Sequence, residues 1–158
     1  MDKVFIGRLV NTHGLGGEVR ILSNFEYKNI AFKVGNVLSI NNNDYTILSY
    51  RVHKYYDMVT LSGINNIDEA LKLKNSNVYS YKEYYSGLLL NIDLLDMLVY
   101  CNGKLIGKVD EVVNGNKYNM IRVGKSLIPL IDNFIENIDS DNKKINIIYM
   151  KGLIDNED

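Results

Sequence analysis

The stretch Val99-Tyr100-Cys101-Asn102-Gly103-Lys104-Leu105-Ile106 predicts a β-hairpin. Asn-Gly is the dipeptide that a type I′ turn prefers, because both central residues of that turn need a positive φ. Similar short runs rich in Val, Ile and Tyr recur along the chain and are separated by Gly, Asn or Asp. This spacing is typical of an all-β fold.

Apolar alternation and turn residues together predict strands in both halves of the chain. The predicted strands cover residues 4–11, 18–22, 37–40, 45–53, 58–61, 78–81, 98–101, 105–113, 120–123, 127–131 and 145–149. One short helix is predicted at 67–74, because its acids come early and its lysines late, as the helix dipole favours. Pro129 cannot donate a ladder hydrogen bond, so its strand is expected at a sheet edge or at a bulge.

The composition excludes several classes of protein. The chain has 158 residues with 18 Lys and Arg against 19 Asp and Glu, which argues against a basic nucleic-acid coat and an acidic disordered tail. A single cysteine, Cys101, and two histidines exclude a disulfide framework and predict that no metal is bound. Charges at the N-terminus argue against a signal peptide, and the apolar stretch 88–99 is shorter than a membrane span of about 20 residues. We therefore expect a cytoplasmic protein without a membrane segment.

The strand pattern pauses between Tyr81 and Asp93, which predicts two small domains at 1–81 and 93–158 joined by a linker at 82–92. Residues 1–80 carry nine Lys and Arg and seven Asp and Glu, or +2, whereas residues 81–158 carry nine and twelve, or −3. The first half is therefore expected to tolerate phosphate, and the second half to prefer a basic partner. Closure into two small barrels is favoured because it removes exposed sheet edges.

Two glycine motifs resemble nucleotide-binding loops but lack their structural context. The loop Gly14-Leu15-Gly16-Gly17 is followed by a predicted strand, not by the helix that would hold a dinucleotide phosphate. The segment Gly124-Lys125-Ser126 matches only the end of a phosphate loop and leads into Leu127-Ile128-Pro129, which does not start a helix. We predict turns, no catalytic residues and no cofactor. A nucleotide- or flavin-binding barrel enzyme that uses the Gly14–Gly17 loop or the Lys125 turn remains the alternative.

Two segments combine cations with glycines or aromatic residues. The first, residues 11–20, is a glycine-rich loop with a histidine between two predicted strands, and Arg8 and Arg20 flank it. Exposed backbone N–H groups beside arginine suit a phosphate backbone. The second is Arg51-Val52-His53-Lys54-Tyr55-Tyr56, a pattern that can bind phosphate and stack bases. The structural alternative for the first segment, which the residues alone favour, is a tight turn whose glycines supply positive φ, with Arg8 and Arg20 solvated. The alternative for the second segment is a solvated hairpin end.

The glycine-rich segment also carries a family resemblance. Residues 7–20, Gly-Arg-Leu-Val-Asn-Thr-His-Gly-Leu-Gly-Gly-Glu-Val-Arg, resemble the opening signature of the ribosome maturation factor RimM family, which has Thr-His-Gly-Leu-x-Gly-Glu-Val-Arg after a glycine, a cation and two apolar positions. Arg51-Val52-His53-Lys54 follows in the family's order. In the second half, Gly107-Lys108-Val109 and Leu127-Ile128-Pro129 resemble the family's PRC-barrel domain.

This resemblance implies a translation-factor-like β-barrel followed by a PRC barrel. It also implies a non-enzymatic, monomeric assembly factor that binds the free small ribosomal subunit and assists head maturation and 16S rRNA processing. The residues implied for rRNA are Arg8, Thr12, His13, Gly14, Arg20, Arg51, His53 and Lys54. The implied partner of the PRC barrel is the nineteenth small-subunit ribosomal protein, which Tyr84, Tyr85, Ile128 and Pro129 are expected to contact. A PRC-type adaptor unconnected with ribosomes remains open.

Overall fold

The computed structural model describes residues 2–148, and the chain divides into two compact units between Leu88 and Leu89. The prediction of an all-β protein is confirmed. The elements of the first unit are β1 (Lys3–His13), β2 (Glu18–Leu22), α1 (Lys28–Ala31), β3 (Val37–Ile40), β4 (Asn43–His53), β5 (Tyr56–Leu61), α2 (Ile67–Leu71) and β6 (Ser76–Tyr81). The elements of the second unit are α3 (Asn91–Leu94), β7 (Leu98–Cys101), β8 (Lys104–Lys108), β9 (Glu111–Val113), β10 (Met120–Val123), β11 (Ser126–Pro129), β12 (Ile135–Asp139) and β13 (Lys144–Ile147).

The first unit is a closed antiparallel barrel with the strand order β1-β2-β5-β4-β3-β6. Strand β6 closes it by pairing with both β1 and β3. Alternate residues of the strands point inward and lose nearly all solvent contact, as the two-residue period of a strand requires. The side chains buried in this way are those of Leu9, Val19, Ile21, Leu38, Ile40, Ile47, Val59, Leu61 and Val78.

Strand β1 bends at two bulges to follow the barrel wall. One lies between Phe5 and Gly7 against β6, and the other between Leu9 and Asn11 against β2. A Cβ on Gly7 would lie 2.5 Å from the backbone oxygen of Leu22. Glycine is therefore required at this corner because the neighbouring backbone approaches too closely for any side chain.

The second unit consists of two sheets that share one core. The sheets have the orders β11-β10-β9 and β12-β13-β7-β8, and β13 runs parallel to β7. Val99, Ile121, Ile128 and Ile145 are fully buried between them. Within residues 89–148 the ladders form these two separate sheets, so the closed second barrel that we predicted stays a prediction.

The strand predicted at 105–113 is divided between the two sheets. Its first part, β8, pairs with β7, and its second part, β9, pairs with β10. Between them Val109 donates its N–H to the Met97 oxygen and Asp110 donates to the Arg122 oxygen. The chain leaves one sheet for the other at this point, which the unbroken apolar pattern does not reveal.

Several local predictions are confirmed. Asn102 and Gly103 have φ values of 51° and 78°, as a type I′ turn requires. Pro129 lies in β11, which is an edge strand of its sheet. Gly124 and Lys125 form the turn between β10 and β11.

The helices and the last strand differ from the prediction. The predicted helix at 67–74 is the shorter α2, whose N-cap Asn66 accepts the Glu69 N–H. Helices α1 and α3, a 3₁₀ turn at Lys82–Tyr85 and strand β12 were not predicted. Of the predicted strand 145–149, residue 149 lies outside the described residues.

The segment that follows β6 packs onto the first unit. The Tyr85 ring is buried against Phe25 and Tyr27, and its hydroxyl lies 2.7 Å from the Ser80 hydroxyl. Tyr84 accepts the Val37 N–H at 3.0 Å. Residues 82–85 therefore belong to the first barrel rather than to a free linker, and the domain limits 1–81, 82–92 and 93–158 stay a prediction about independent folding.

Within residues 2–148, no helix is both long and apolar enough to cross a membrane.

We expect Gly7→Ala to lower the free energy of unfolding by about 2 kcal/mol, because the added methyl group clashes with the backbone of the neighbouring strand. The matched control is Gly16→Ala, since a Cβ at Gly16 meets nothing within 4 Å. Urea denaturation followed by circular dichroism measures both variants. Equal stabilities of the two variants would contradict the proposed close approach.

Candidate nucleic-acid interface

Two hairpin ends of the first barrel lie side by side. The β1–β2 hairpin ends at the glycine turn 14–17, and the β4–β5 hairpin ends at Lys54 and Tyr55. The His13 and His53 rings, one from each hairpin, have centroids 6.0 Å apart. Arg51 on β4 reaches across β5 to Glu18 on β2, with its Nε and Nη2 atoms 2.9 and 2.7 Å from the two carboxylate oxygens.

We define the cationic cluster as the charged and ring side chains at these hairpin ends: His13, Glu18, Arg20, Arg51, His53, Lys54 and Tyr56. Strand register explains how its centre is built. Met58 on β5 pairs with Arg20 on one side and with Arg51 on the other, so all three side chains share the outer face of the barrel. Met58 is nonetheless 0% exposed. The aliphatic parts of the two long arginine side chains are suited to cover it.

Arg20 is held in place by two rings. Its Nη2 lies 2.8 Å from His13 Nδ1, and its guanidinium carbon lies 5.6 Å from the centre of the Tyr56 ring. Arginine only donates, so Nδ1 of His13 accepts and the ring carries its proton on Nε2. Arg20 Nε is buried without a hydrogen-bond partner in the described residues. A guanidinium has five N–H donors, and His13 accepts only one of those on Arg20, so further donors on Nη1 and Nη2 suit an acceptor outside the cluster.

The cluster keeps a positive charge at neutral pH. Partial desolvation lowers the pKa of His53 below its ordinary value, and the nearby cations Arg51, Lys54 and Arg20 lower it further. The hydrogen bond from Arg51 outweighs desolvation and lowers the pKa of Glu18. Without the histidines, Arg20, Arg51 and Lys54 outnumber the single carboxylate and give a formal net charge of +2. Such a surface attracts anions.

The glycine turn beside the cluster is fixed by the start of α2. Gly14 and Gly17 have φ values of 74° and 91°, as predicted for this turn. A Cβ on Gly17 would lie 3.1 Å from the backbone of Asn66, and the Ile67 N–H donates to the Leu15 oxygen at 3.1 Å. Leu15 itself is 82% exposed. The backbone at the start of α2 therefore fixes the turn, whereas the Leu15 side chain at its tip is exposed to solvent.

The structure brings five of the eight predicted rRNA residues into the cationic cluster: His13, Arg20, Arg51, His53 and Lys54. Gly14 lies in the adjoining turn, and Thr12 is half-buried in β1 opposite Val19. Arg8 is exposed further along β1, opposite Leu22 and Asn77.

Sequence reasoning missed two members of the cluster, Glu18 and Tyr56. Glu18 and Arg20 are two residues apart in a predicted strand, so their shared face could have been predicted. The pairing of Glu18 with Arg51 could not, because it depends on the position of β5 between β2 and β4. Tyr56 was part of the second cation-rich segment, residues 51–56. Its contact with Arg20 could not be predicted from the sequence.

Two of the four residues expected to contact a protein partner have buried side chains, and the expectation stays untested. Tyr85 belongs to the aromatic packing of the first barrel, and Ile128 is fully buried in the core of the second unit. Neither side chain is available to a partner's surface. Tyr84 and Pro129 are only half-buried, so they remain the residues proposed for such a contact.

We expect the pKa of His53 in the folded protein to lie below 6.5, and Arg51→Gln to raise it by removing a neighbouring cation. The His53 imidazole binds a proton more readily in the unfolded chain than in the folded one. The free energy of unfolding therefore falls as the pH drops through about 6.5. Nuclear magnetic resonance titration of the imidazole signals measures the pKa. Lys33→Gln, at an exposed position after α1, is the control that leaves it unchanged. A pKa at or above 6.5 would contradict the electrostatic account.

Comparisons with known proteins give the family. The family model for the RimM N-terminal domain matches residues 4–84. The ribosome maturation factor RimM of Staphylococcus aureus strain NCTC 8325 / PS 47 is 37% identical over 166 aligned residues, which cover 97% of this chain and 99% of that protein. The protein of the same name from strain MRSA252 is 36% identical over the same shares.

A solved structure is also similar to part of this chain. It is the solution structure of the N-terminal domain of RimM from Thermus thermophilus, with 20% identity and a TM-score of 0.45, and it covers 52% of this chain and 93% of that one. The family assignment rests on the sequence matches. This chain belongs to the ribosome maturation factor RimM family.

Proposed function

We propose that this protein is a ribosome maturation factor that binds the free small ribosomal subunit and assists head maturation and 16S rRNA processing. The observation that carries this proposal is the similarity to proteins named ribosome maturation factor, at 37% identity over 97% of the chain. The cationic cluster supports it independently, because a surface with a net charge of +2 and free guanidinium donors suits the phosphates of RNA.

The rRNA contact is proposed for the hairpin ends of the first barrel. Arg20, Arg51 and Lys54 supply charge, and His13 can donate from Nε2 because Arg20 fixes its other nitrogen. The His53 ring lies beside the His13 ring and is the second histidine of this surface. Arg8, Thr12 and Gly14 flank this surface along β1 and its turn, and we propose them as secondary contacts.

The proposed mechanism requires binding but no catalytic step. A factor that binds one conformer of the immature head more tightly than others shifts the population by its differential affinity. Residues 81–158 carry a net charge of −3, which suits a basic ribosomal protein. We propose the nineteenth small-subunit protein as this partner, bound by a monomer of the factor.

The alternative of a nucleotide- or flavin-binding enzyme has less support. The Gly14–Gly17 loop leads into strand β2 and not into a helix, and the Ile67 N–H at the start of the neighbouring α2 already donates to the Leu15 oxygen. At the Lys125 turn the Gly124 N–H already donates to the Asp110 carboxylate at 2.9 Å. A phosphate would have to displace that carboxylate.

Co-sedimentation of the full chain with isolated bacterial small subunits, and separately with complete ribosomes, tests the proposal. We expect binding to the free subunit only, and weaker binding as salt is raised. Lys54→Glu changes the charge of the cationic cluster from +2 to 0 and should weaken binding by roughly 10-fold. Lys33→Glu makes the same charge change at an exposed position after α1 and serves as the matched control.

Absence of binding to free subunits would overturn the proposed function. If Lys54→Glu and Lys33→Glu bound equally well, the function would stand but the cationic cluster would be wrong as its RNA-facing surface.

A further inference from the structure

Tyr55 occupies an unusual position for a large aromatic residue. It lies in the two-residue turn between β4 and β5 and is 84% exposed. Its neighbour Tyr56 is half-buried beneath the Arg20 guanidinium. The hairpin therefore uses one tyrosine to hold the cluster and presents the ring of the other to solvent.

Lys54, in the turn that presents Tyr55, has a strained backbone conformation. Lys54 has a φ of 56°, in the left-handed region that disfavours most side chains. Five of the seven non-glycine residues with positive φ in residues 2–148 are Asn or Asp, which tolerate this region. Glycine would fit position 54 without strain. Lys54 is exposed and directly precedes Tyr55, so the turn carries a cation next in the chain to the exposed ring.

The exposed ring lies close in the chain to cationic and imidazole groups that suit an anion. Lys54 precedes Tyr55, and His53 precedes Lys54 at the end of β4. The His53 ring faces His13, whose Nδ1 accepts a hydrogen bond from Arg20. The exposed ring thus belongs to the same hairpin end as several donors that suit a phosphate. Unpaired nucleotides are recognised by this combination, since base stacking on an aromatic ring requires a base that has left the helix.

Building on the proposed function, we propose that the β4–β5 hairpin end binds a single unpaired RNA nucleotide. Tyr55 stacks on its base, while Lys54 and Arg20 bind an adjoining phosphate. The net charge of +2 favours RNA over a basic ribosomal protein at this surface. Stacking does not depend on base identity, so the site selects unpaired over paired RNA and has little sequence preference.

Fluorescence anisotropy of the full chain with a labelled unpaired RNA of about eight nucleotides, and with a duplex of the same sequence, tests this site. We expect tighter binding to the unpaired RNA. Tyr55→Ala should weaken that binding by about 10-fold, equivalent to about 1.4 kcal/mol, because the stacked base loses its platform. Tyr55→Phe keeps a ring and should bind like the parent chain. Val34→Ala removes another exposed apolar side chain of the first barrel and is the matched control.

The outcomes separate this site from the proposed function. Equal affinity of Tyr55→Ala and the parent chain for the unpaired RNA would overturn the nucleotide site, as would a Tyr55→Ala loss of the same size on the duplex. If the chain co-sedimented with free small subunits but bound neither RNA, the nucleotide site would fail and the proposed function would stand. If it bound unpaired RNA through Tyr55 but did not co-sediment, the proposed function would fail and the nucleotide site would stand.

Discussion

Closure of the first barrel through β1 is the constraint on which the candidate site depends. This strand pairs with β2 on one side and β6 on the other, and it turns the barrel corner where the Gly7 backbone lies against the Leu22 carbonyl. The C-terminal residue of β1 is His13, which directly precedes the glycine turn 14–17. Because β2, β5 and β4 continue the same closed ladder, their register fixes Arg20 and Arg51 on either side of one buried methionine.

The cationic cluster shows how like charges are kept together on a strand surface. Arg51 is neutralised by a bidentate contact with Glu18, whereas Arg20 contacts the His13 imidazole and an aromatic face. Exposed ion pairs add little to stability, so Glu18 mainly orients the Arg51 guanidinium. The positive charge that remains is available to an external anion, and salt screens it. Binding at this site is therefore expected to be electrostatic and sensitive to ionic strength.

Local features of this structure were predictable from the sequence, and long-range ones were not. The Asn102-Gly103 turn follows from the conformations that two residues require, and strand β2 was predicted with its observed limits. The two cation-rich segments were each identified, but their contact joins residues 33 positions apart and depends on strand order. Strand β12 was missed because polar residues interrupt its apolar pattern. The burial of Tyr85 depends on rings from a distant loop.

We propose that the β4–β5 hairpin end of the first barrel contacts rRNA. Photo-crosslinking on the free small subunit tests this most directly, with a photoreactive amino acid in place of Tyr55 in one variant and of Val34, an exposed residue near the end of α1, in the other. We expect crosslinks to 16S rRNA from position 55 and none from position 34. Crosslinks from position 55 to ribosomal proteins alone would contradict it.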